Sequence, residues 1–230
     1  MCGPGNGGRA DDCTVPVPFT LGSVEAGRYR PCEPGETTEP PDFSAGNAYR
    51  VTMNWNTVTS EVAYSCEGFD IVNETVELPA GERAEFDYLR EAESVVILPF
   101  RQDGRVVVID EWRHAVGRVN RSLPAGTLED GEEPTEAVGR ELAEETGYRP
   151  GDIEHMTTVE PANGFSDAVF HYFLTRDCER ATGQDLDVDE TIEVTTAAFE
   201  DLLKAVRNGE LRDGRAAFGV LYYLLFDGQV

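Results

Sequence analysis

The sequence predicts a mixed α/β (α+β) fold in which helices pack on a sheet, preceded by a small antiparallel β subdomain. Two observations support this prediction. Apolar residues alternate in short runs through the first part of the chain, as in strands, whereas later segments repeat them at helical spacing. With 230 residues, of which 40% are hydrophobic, the chain is also long enough to bury a core.

The chain divides into three predicted parts. Residues 1–47 are rich in Gly, Pro and acids, which predicts a loosely ordered acidic extension. In residues 48–92, alternation through Val62 and Tyr64, then Phe69 and Ile71, predicts antiparallel strands. Residues 93–230 form the predicted main domain.

The main domain begins with two continuous apolar runs, 94–99 and 106–110, which are typical of strands inside a sheet. A helix is predicted from Pro134 to Thr146, because proline suits a first helical turn and Gly147 suits the end. Further strands are predicted at 169–175 and 192–196, and further helices at 199–206 and 214–226.

The charge is strongly one-sided, with 44 acidic against 19 basic residues and a net charge of -25. Such a charge disfavours binding to nucleic acids and to anionic membranes. Lys204 is the only lysine, an imbalance that resembles proteins of extreme halophiles and predicts a need for high salt. We find no apolar run of about 18 residues and no apolar signal segment, and we expect a cytoplasmic protein.

The chemistry is predicted between residues 126 and 148, GTLEDGEEPTEAVGRELAEETGY. At about 100° per residue, Glu144 lies about 60° to one side of Glu141 and Glu145 about 40° to the other, so three carboxylates share one helix face. Because like charges repel at these spacings, a positive partner is expected. Arg140 provides part of it, and Mg²⁺, which prefers oxygen ligands, provides more. The alternative is a solvated acidic face.

The turns before this helix bring backbone carbonyls close to its acids, so the carbonyl of Ala125 is a candidate further ligand. The segment resembles the Nudix box, G, five residues, E, seven residues, REUxEExGU. The matching residues are Gly126, Glu132, Arg140, Glu141, Leu142, Glu144, Glu145 and Gly147. Tyr148 departs from the box, which usually has an aliphatic residue there. An acid-rich composition does not by itself place so many residues in register.

The resemblance implies an α/β/α sandwich with a mixed sheet that hydrolyses a nucleoside diphosphate linked to a further group. It implies that Glu141, Glu144, Glu145 and the carbonyl of Ala125 bind Mg²⁺, for which Mn²⁺ can substitute. Glu132 and Arg140 would brace the loop against the helix, with Arg140 and Glu144 also counted among the catalytic residues. Gly126 and Gly147 are structural positions of the box.

The flanking sequence, with SVVILPF and VVVIDEWRHAVGR ahead of LPAG, resembles the ADP-ribose pyrophosphatase branch. That branch implies a homodimer that exchanges its early strands. It further implies that Arg113 contacts substrate phosphates and that Phe69 stacks on adenine across the dimer. The alternatives are an Arg113 that only balances Glu111 and a Phe69 that only packs in the core.

The branch also implies a catalytic acid in the loop before a late strand, among Asp187, Asp189, Glu190 and Glu193. We favour Glu190, although a solvated acid is an equally good interpretation of each. Asn163 stands where the branch commonly has proline, which weakens the substrate assignment.

We therefore expect Mg²⁺-dependent hydrolysis of ADP-ribose or a related nucleoside diphosphate sugar to a nucleoside monophosphate and a sugar phosphate. Two alternatives stay open. One is a Nudix hydrolase of dinucleoside polyphosphates, nucleoside triphosphates or coenzyme A, and the other is a non-catalytic domain that senses a nucleotide.

Overall fold

The computed structural model describes residues 54–188 and 190–228, so the extension predicted over residues 1–47 lies outside the described residues. The helices and strands of the described part are β1 (Asn56–Ser65), β2 (Asp70–Glu77), β3 (Arg83–Arg90), β4 (Ser94–Arg101), β5 (Val106–Arg113), β6 (Arg118–Ser122), β7 (Ala125–Thr127), α1 (Pro134–Thr146), β8 (Tyr148–Arg149), β9 (Asp152–Val159), β10 (Phe170–Arg180), β11 (Ile192–Ala197), α2 (Phe199–Arg207) and α3 (Gly214–Tyr222).

The larger of the two sheets in the described residues is mixed. Its main path is β11-β5-β4-β10-β8, with β6 paired to β5, β7 to β4 and β9 to β10. β10 runs parallel to β4, and the other pairings are antiparallel. The two continuous apolar runs of the sequence, β4 and β5, occupy the interior of the path, as predicted.

Helices cover this sheet on both faces. Since successive side chains of a strand point to opposite faces, Ile97 of β4 packs with Leu142 of α1, and its neighbour Leu98 packs with Val220 of α3. α1 thus lies on one face, and α2 and α3 on the other. The α/β/α sandwich is confirmed, and the apolar side of α1 is fixed against the sheet.

Several element boundaries differ from the prediction. The predicted strand 169–175 extends to Arg180, and the predicted helix 214–226 ends at Tyr222, followed by a π-helical turn. β9 was not predicted, because this edge strand is largely polar and lacks a continuous apolar run. The helix Pro134–Thr146 is found as predicted, and Gly147 ends it with a φ of 73° in the left-handed region.

The smaller sheet is antiparallel, in the order β1-β2-β3, which confirms the predicted early strands. It joins the main domain through backbone hydrogen bonds from Leu89 to the carbonyl of Phe165, 2.8 Å, and from Asp167 to the carbonyl of Leu89, 3.1 Å. The predicted division after residue 92 falls in the connection between β3 and β4. No helix of residues 54–188 and 190–228 is long and apolar enough to span a membrane.

Candidate active site

A cavity of about 610 Å³ opens beside α1. Its walls come from α1, β5, β7, the loop before β11 and the first turn of α3. The charged residues that line it are Glu111, Arg113, Glu129, Arg140, Glu141, Glu144, Glu145, Asp185, Asp187, Glu190 and Arg215. Eight carboxylates thus face three guanidinium groups among the described residues, which makes the cavity strongly anionic.

The three glutamates of α1 all line this cavity, at different depths. Glu141 is 8% exposed and Glu145 is 4% exposed, whereas the Glu144 side chain is partly open to solvent. The backbone N–H of Ala125 donates a hydrogen bond of 3.0 Å to Oε2 of Glu145. This bond ties α1 to β7 and places Ala125 at the cavity wall beside the carboxylates.

Gly126 makes room for Glu141. A Cβ at position 126 would overlap the carboxyl carbon and both carboxyl oxygens of Glu141. Glycine is therefore required here by the close approach of a side chain to the backbone of β7, and the backbone conformation itself sets no such requirement. The Glu141 carboxylate therefore occupies the space that a side chain at position 126 would fill, and we call this space the Gly126 cradle.

We expect Gly126→Ala to displace the Glu141 carboxylate, because the added methyl group occupies its place. The variant should lose about tenfold or more in Mn²⁺ affinity, as expected when a ligand is misplaced. Titration followed by electron paramagnetic resonance measures the change. Gly139→Ala is a matched control, since a Cβ on this α1 residue meets nothing within 4 Å. Equal Mn²⁺ affinity in both variants would contradict the assigned role of Glu141.

Arg140 connects the loop before the helix to the helix acids. It donates to both oxygens of Glu132, at 2.9 and 2.8 Å, and to the carbonyl of Thr127 at 2.9 Å. Its Nη1 also donates to Glu141, 2.8 Å, and to Glu144, 3.0 Å. The hydrogen bonds from Arg140 hold the pKa of Glu132 below its ordinary range.

The buried carboxylates of the cavity are poorly compensated. Burial raises the pKa of Glu141 to about 7, even though Arg140 opposes the shift. Burial likewise raises the pKa of Glu145 well above its ordinary value, and Glu141, Glu111 and Glu190 add repulsion. The ionised forms of Glu141 and Glu145 would therefore be stabilised by a positive charge in addition to the three arginines.

The donor set fits a hard divalent cation. Carboxylate and carbonyl oxygens are the ligands that Mg²⁺ prefers, and the Gly126 cradle keeps one carboxylate at the wall. Within residues 54–188 and 190–228, no three acid, histidine or cysteine side chains are already arranged around one cation position. In this structure Nη1 of Arg140 bonds Glu141 and Glu144 instead.

The structure brings some of the other predicted residues into the cavity. Arg113 lines the cavity, and its Nη2 lies 2.7 Å from Oε2 of Glu111. This position is compatible both with contact to substrate phosphates and with a role in balancing Glu111. Glu190 and Asp187 line it as well, and Oε2 of Glu190 accepts a hydrogen bond from the backbone of Asp187 at 3.1 Å. Glu193 lies on β11 outside the lining, and Asp189 lies outside the described residues.

Two further predicted residues lie away from the cavity. Phe69 precedes β2 and is 38% exposed, so it is not a core residue of the described chain. Asn163 borders a separate cleft together with Trp55, Phe86 and Phe165. Neither residue contacts the acidic cavity within one chain.

Sequence reasoning missed Arg215, Asp185 and the cavity position of Glu111. Arg215 follows the first residue of α3, more than 60 residues after the box, and no local pattern separates it from other surface arginines. Glu111 could have been found, because an acid at the end of a buried apolar strand is unusual. Its neighbour Arg113 was identified only through the resemblance.

An α/β/α sandwich that places the helix of this box over an acidic cavity defines the Nudix class of proteins. Comparison with known families agrees, since the NUDIX domain matches residues 90–216. The chain belongs to the Nudix family.

Individual relatives are similar over most of the described chain. An ADP-ribose pyrophosphatase of Bacillus subtilis (strain 168) is 32% identical over 175 residues, covering 76% of this chain and 95% of the relative. A GDP-mannose pyrophosphatase of Klebsiella pneumoniae subsp. pneumoniae is 32% identical over 143 residues, covering 59% of this chain and 71% of the relative.

The fold is also found among solved structures. The crystal structure of an ADP compounds hydrolase matches with a TM-score of 0.67 and 18% identity, covering 76% of this chain and 97% of that chain. At this identity the match establishes the α+β fold with its mixed sheet.

Proposed function

We propose that the protein is a divalent-metal-dependent pyrophosphatase that cleaves ADP-ribose or a related nucleoside diphosphate sugar. The observation that carries the proposal is the buried pair Glu141 and Glu145, which belongs to the family's box and faces an anionic cavity. The names of the ADP-ribose and GDP-mannose pyrophosphatases support the substrate class. The products are a nucleoside monophosphate and a sugar phosphate.

In this proposal the acids of the cavity bind the metal, and its arginines bind the substrate phosphates. Glu141, Glu144, Glu145 and the carbonyl of Ala125 hold Mg²⁺, or Mn²⁺ in its place. When bound, the cation neutralises diphosphate oxygens and lowers the pKa of water. Arg113 and Arg215 face the same cavity, and a planar guanidinium can grip phosphate oxygens in bidentate fashion.

Glu190 is the proposed general base. Its carboxylate lines the same cavity as the α1 acids, where it can orient a water for attack on phosphorus and take its proton. Arg140, through its bonds to Glu132 and the two helix acids, keeps the loop and the ligand carboxylates in position.

Turnover of a substrate panel tests the proposal. Pure protein in molar KCl with Mg²⁺ is incubated with ADP-ribose, GDP-mannose, a dinucleoside polyphosphate, a nucleoside triphosphate and coenzyme A, and products are separated by chromatography. We expect AMP from ADP-ribose or GMP from GDP-mannose. If the protein cleaved only the dinucleoside polyphosphate, the nucleoside triphosphate or coenzyme A, nucleoside diphosphate sugars would be rejected as its substrates. Nucleotide binding without any turnover would establish the sensor instead.

We further propose a homodimer that forms through the early strands. β1 is exposed along its whole length, including Val58 at 41%, Val62 at 48% and Tyr64 at 57%, which leaves apolar side chains uncovered in a single chain. Phe69 lies beside this sheet and, in the dimer, would stack on the base of the partner's substrate.

The dimer predicts that Val62→Glu shifts the protein toward monomer, because a charge is then placed in the apolar contact. Sedimentation velocity in molar KCl measures the change. Glu61→Gln, one residue earlier on the same strand, controls for changes in β1 that leave its apolar residues intact. A wild-type protein that sediments as a monomer at all concentrations would contradict this proposal.

We also propose a cytoplasmic protein adapted to high salt, and the acidic composition supports the adaptation to salt. A net charge of -25 repels itself most in dilute buffer, where the Debye length is about 30 Å at 0.01 M salt and about 3 Å at 1 M. We therefore expect Tm to rise steadily from 0.01 M to molar KCl in calorimetry with EDTA, which removes any contribution of bound divalent metal. A flat or falling Tm would contradict the salt requirement.

A further inference from the structure

Glu111 is an acid on β5 that the Nudix box does not include. It is 6% exposed, as buried as the box acids Glu141 and Glu145, and no other Asp or Glu of the described residues is buried to this degree. Ionised side chains are rarely buried unless they are paired or bind metals. The position of Glu111 therefore requires a partner.

The arginines nearby do not satisfy Glu111 fully. Nη2 of Arg113 lies 2.7 Å from its Oε2, yet no donor of the described residues makes a hydrogen bond of proper geometry to that atom, which is buried. Arg215 attracts the carboxylate, while Glu190 and Asp213 repel it. A buried oxygen without a hydrogen bond is costly, which points to a ligand that the chain itself does not supply.

The location of Glu111 gives that ligand a chemical class. It lines the acidic cavity from the sheet side, whereas Glu141 and Glu145 line it from the helix side. Buried carboxylates therefore enter the cavity from both β5 and α1. Carboxylates from two separate elements can hold separate cations, each neutralising different phosphate oxygens.

We propose that Glu111 is a ligand of a divalent cation on the sheet side of the cavity, in addition to the cation sites of the α1 acids. The inference rests on the proposed metal-dependent function and adds a cation ligand that lies outside the box. Glu111 would bind this cation through its carboxylate, whose Oε2 lies 2.7 Å from Nη2 of Arg113 and has no hydrogen bond within the described residues.

Mn²⁺ binding in the absence of nucleotide tests the assignment. Free Mn²⁺ is measured by electron paramagnetic resonance at pH 8 for the wild type, Glu111→Gln and Glu129→Gln. Glu129 borders the same cavity with its side chain 73% exposed, so its variant removes the same charge without removing a buried ligand. We expect Glu111→Gln to weaken at least one Mn²⁺ site about tenfold or more, and Glu129→Gln to change binding less than threefold.

Unchanged Mn²⁺ binding in Glu111→Gln would overturn the proposal. If Glu111 served only to hold Arg113, Glu111→Gln and Arg113→Met would both bind Mn²⁺ like the wild type and both weaken AMP binding. Thermal melting in EDTA checks that the variants fold, and Glu111→Asp, which keeps the charge but shortens the side chain, provides a second comparison. Mn²⁺ binding by the wild type without turnover would defeat the proposed function but not the role of Glu111.

Discussion

Glu145→Gln is expected to lower kcat about a thousandfold, since a metal ligand supports several kcal/mol of transition-state stabilisation. The amide keeps the shape of the side chain, and its oxygen can still accept the 3.0 Å hydrogen bond from Ala125. The loss would therefore come from the missing charge, with the packing of α1 on β7 retained.

The same substitution is expected to stabilise the metal-free protein. Burial raises the pKa of Glu145 well above its ordinary 4.5, so the folded state holds a proton that the unfolded state has released. Stability then falls as the pH rises from 4.5 through the folded pKa. The substituted glutamine does not ionise, so its advantage should be absent near pH 4.5 and grow with rising pH. A gain of about 1 kcal/mol would raise Tm by about 2–4 °C.

Steady-state kinetics with ADP-ribose and melting in EDTA between pH 4.5 and 8 measure the two effects together. Glu136→Gln is the matched control, because Glu136 is an exposed acid in the first turn of the same helix. It should change neither quantity strongly. A Glu145→Gln variant that is both less active and less stable in EDTA at pH 8 would indicate a structural role for this acid.

Arg140→Met is expected to cost about 2–3 kcal/mol of unfolding free energy, because it leaves Glu132 and Glu141 without their main positive partner. Removing one member of a buried pair typically costs about 3–5 kcal/mol, and the estimate is reduced because 23% of the Arg140 side chain is exposed. Methionine retains much of the length and apolar character of the arginine stem.

Urea denaturation in EDTA measures this loss. Arg121→Met is the control, since Arg121 also makes two hydrogen bonds to one carboxylate, that of Asp110, but is 45% exposed. That surface pair should contribute at most about 1 kcal/mol. Equal losses in the two variants would show that the Arg140 network adds nothing beyond an ordinary surface ion pair.

Patterns that are local in the sequence predicted the fold well. The bounds of α1 follow from Pro134 and Gly147, and the two apolar runs lie in the interior of the sheet because nothing polar interrupts them. Period-2 alternation predicted the early antiparallel sheet. β9 was missed because this largely polar edge strand has neither a continuous apolar run nor a clear alternation of apolar and polar residues.

The candidate site could be predicted only in part, because local patterns do not show which distant residues meet in the fold. The spacing of the three helix glutamates places them on one face, and α1 carries them to the cavity as a unit. Arg215 and Glu111 reach the cavity through the pairing of distant strands and the packing of α3, which no local spacing encodes. The cradle at Gly126 likewise depends on how closely α1 approaches β7.

Anomalous diffraction from a crystal soaked in Mn²⁺ tests the central claim most directly. We predict a peak in contact with Glu141, Glu145 and the carbonyl of Ala125, with Mn²⁺ drawing Glu141 away from its bond with Arg140. Absence of any peak in the cavity at saturating Mn²⁺, with Arg140 still bonded to Glu141 and Glu144, would contradict the claim that these acids hold the metal.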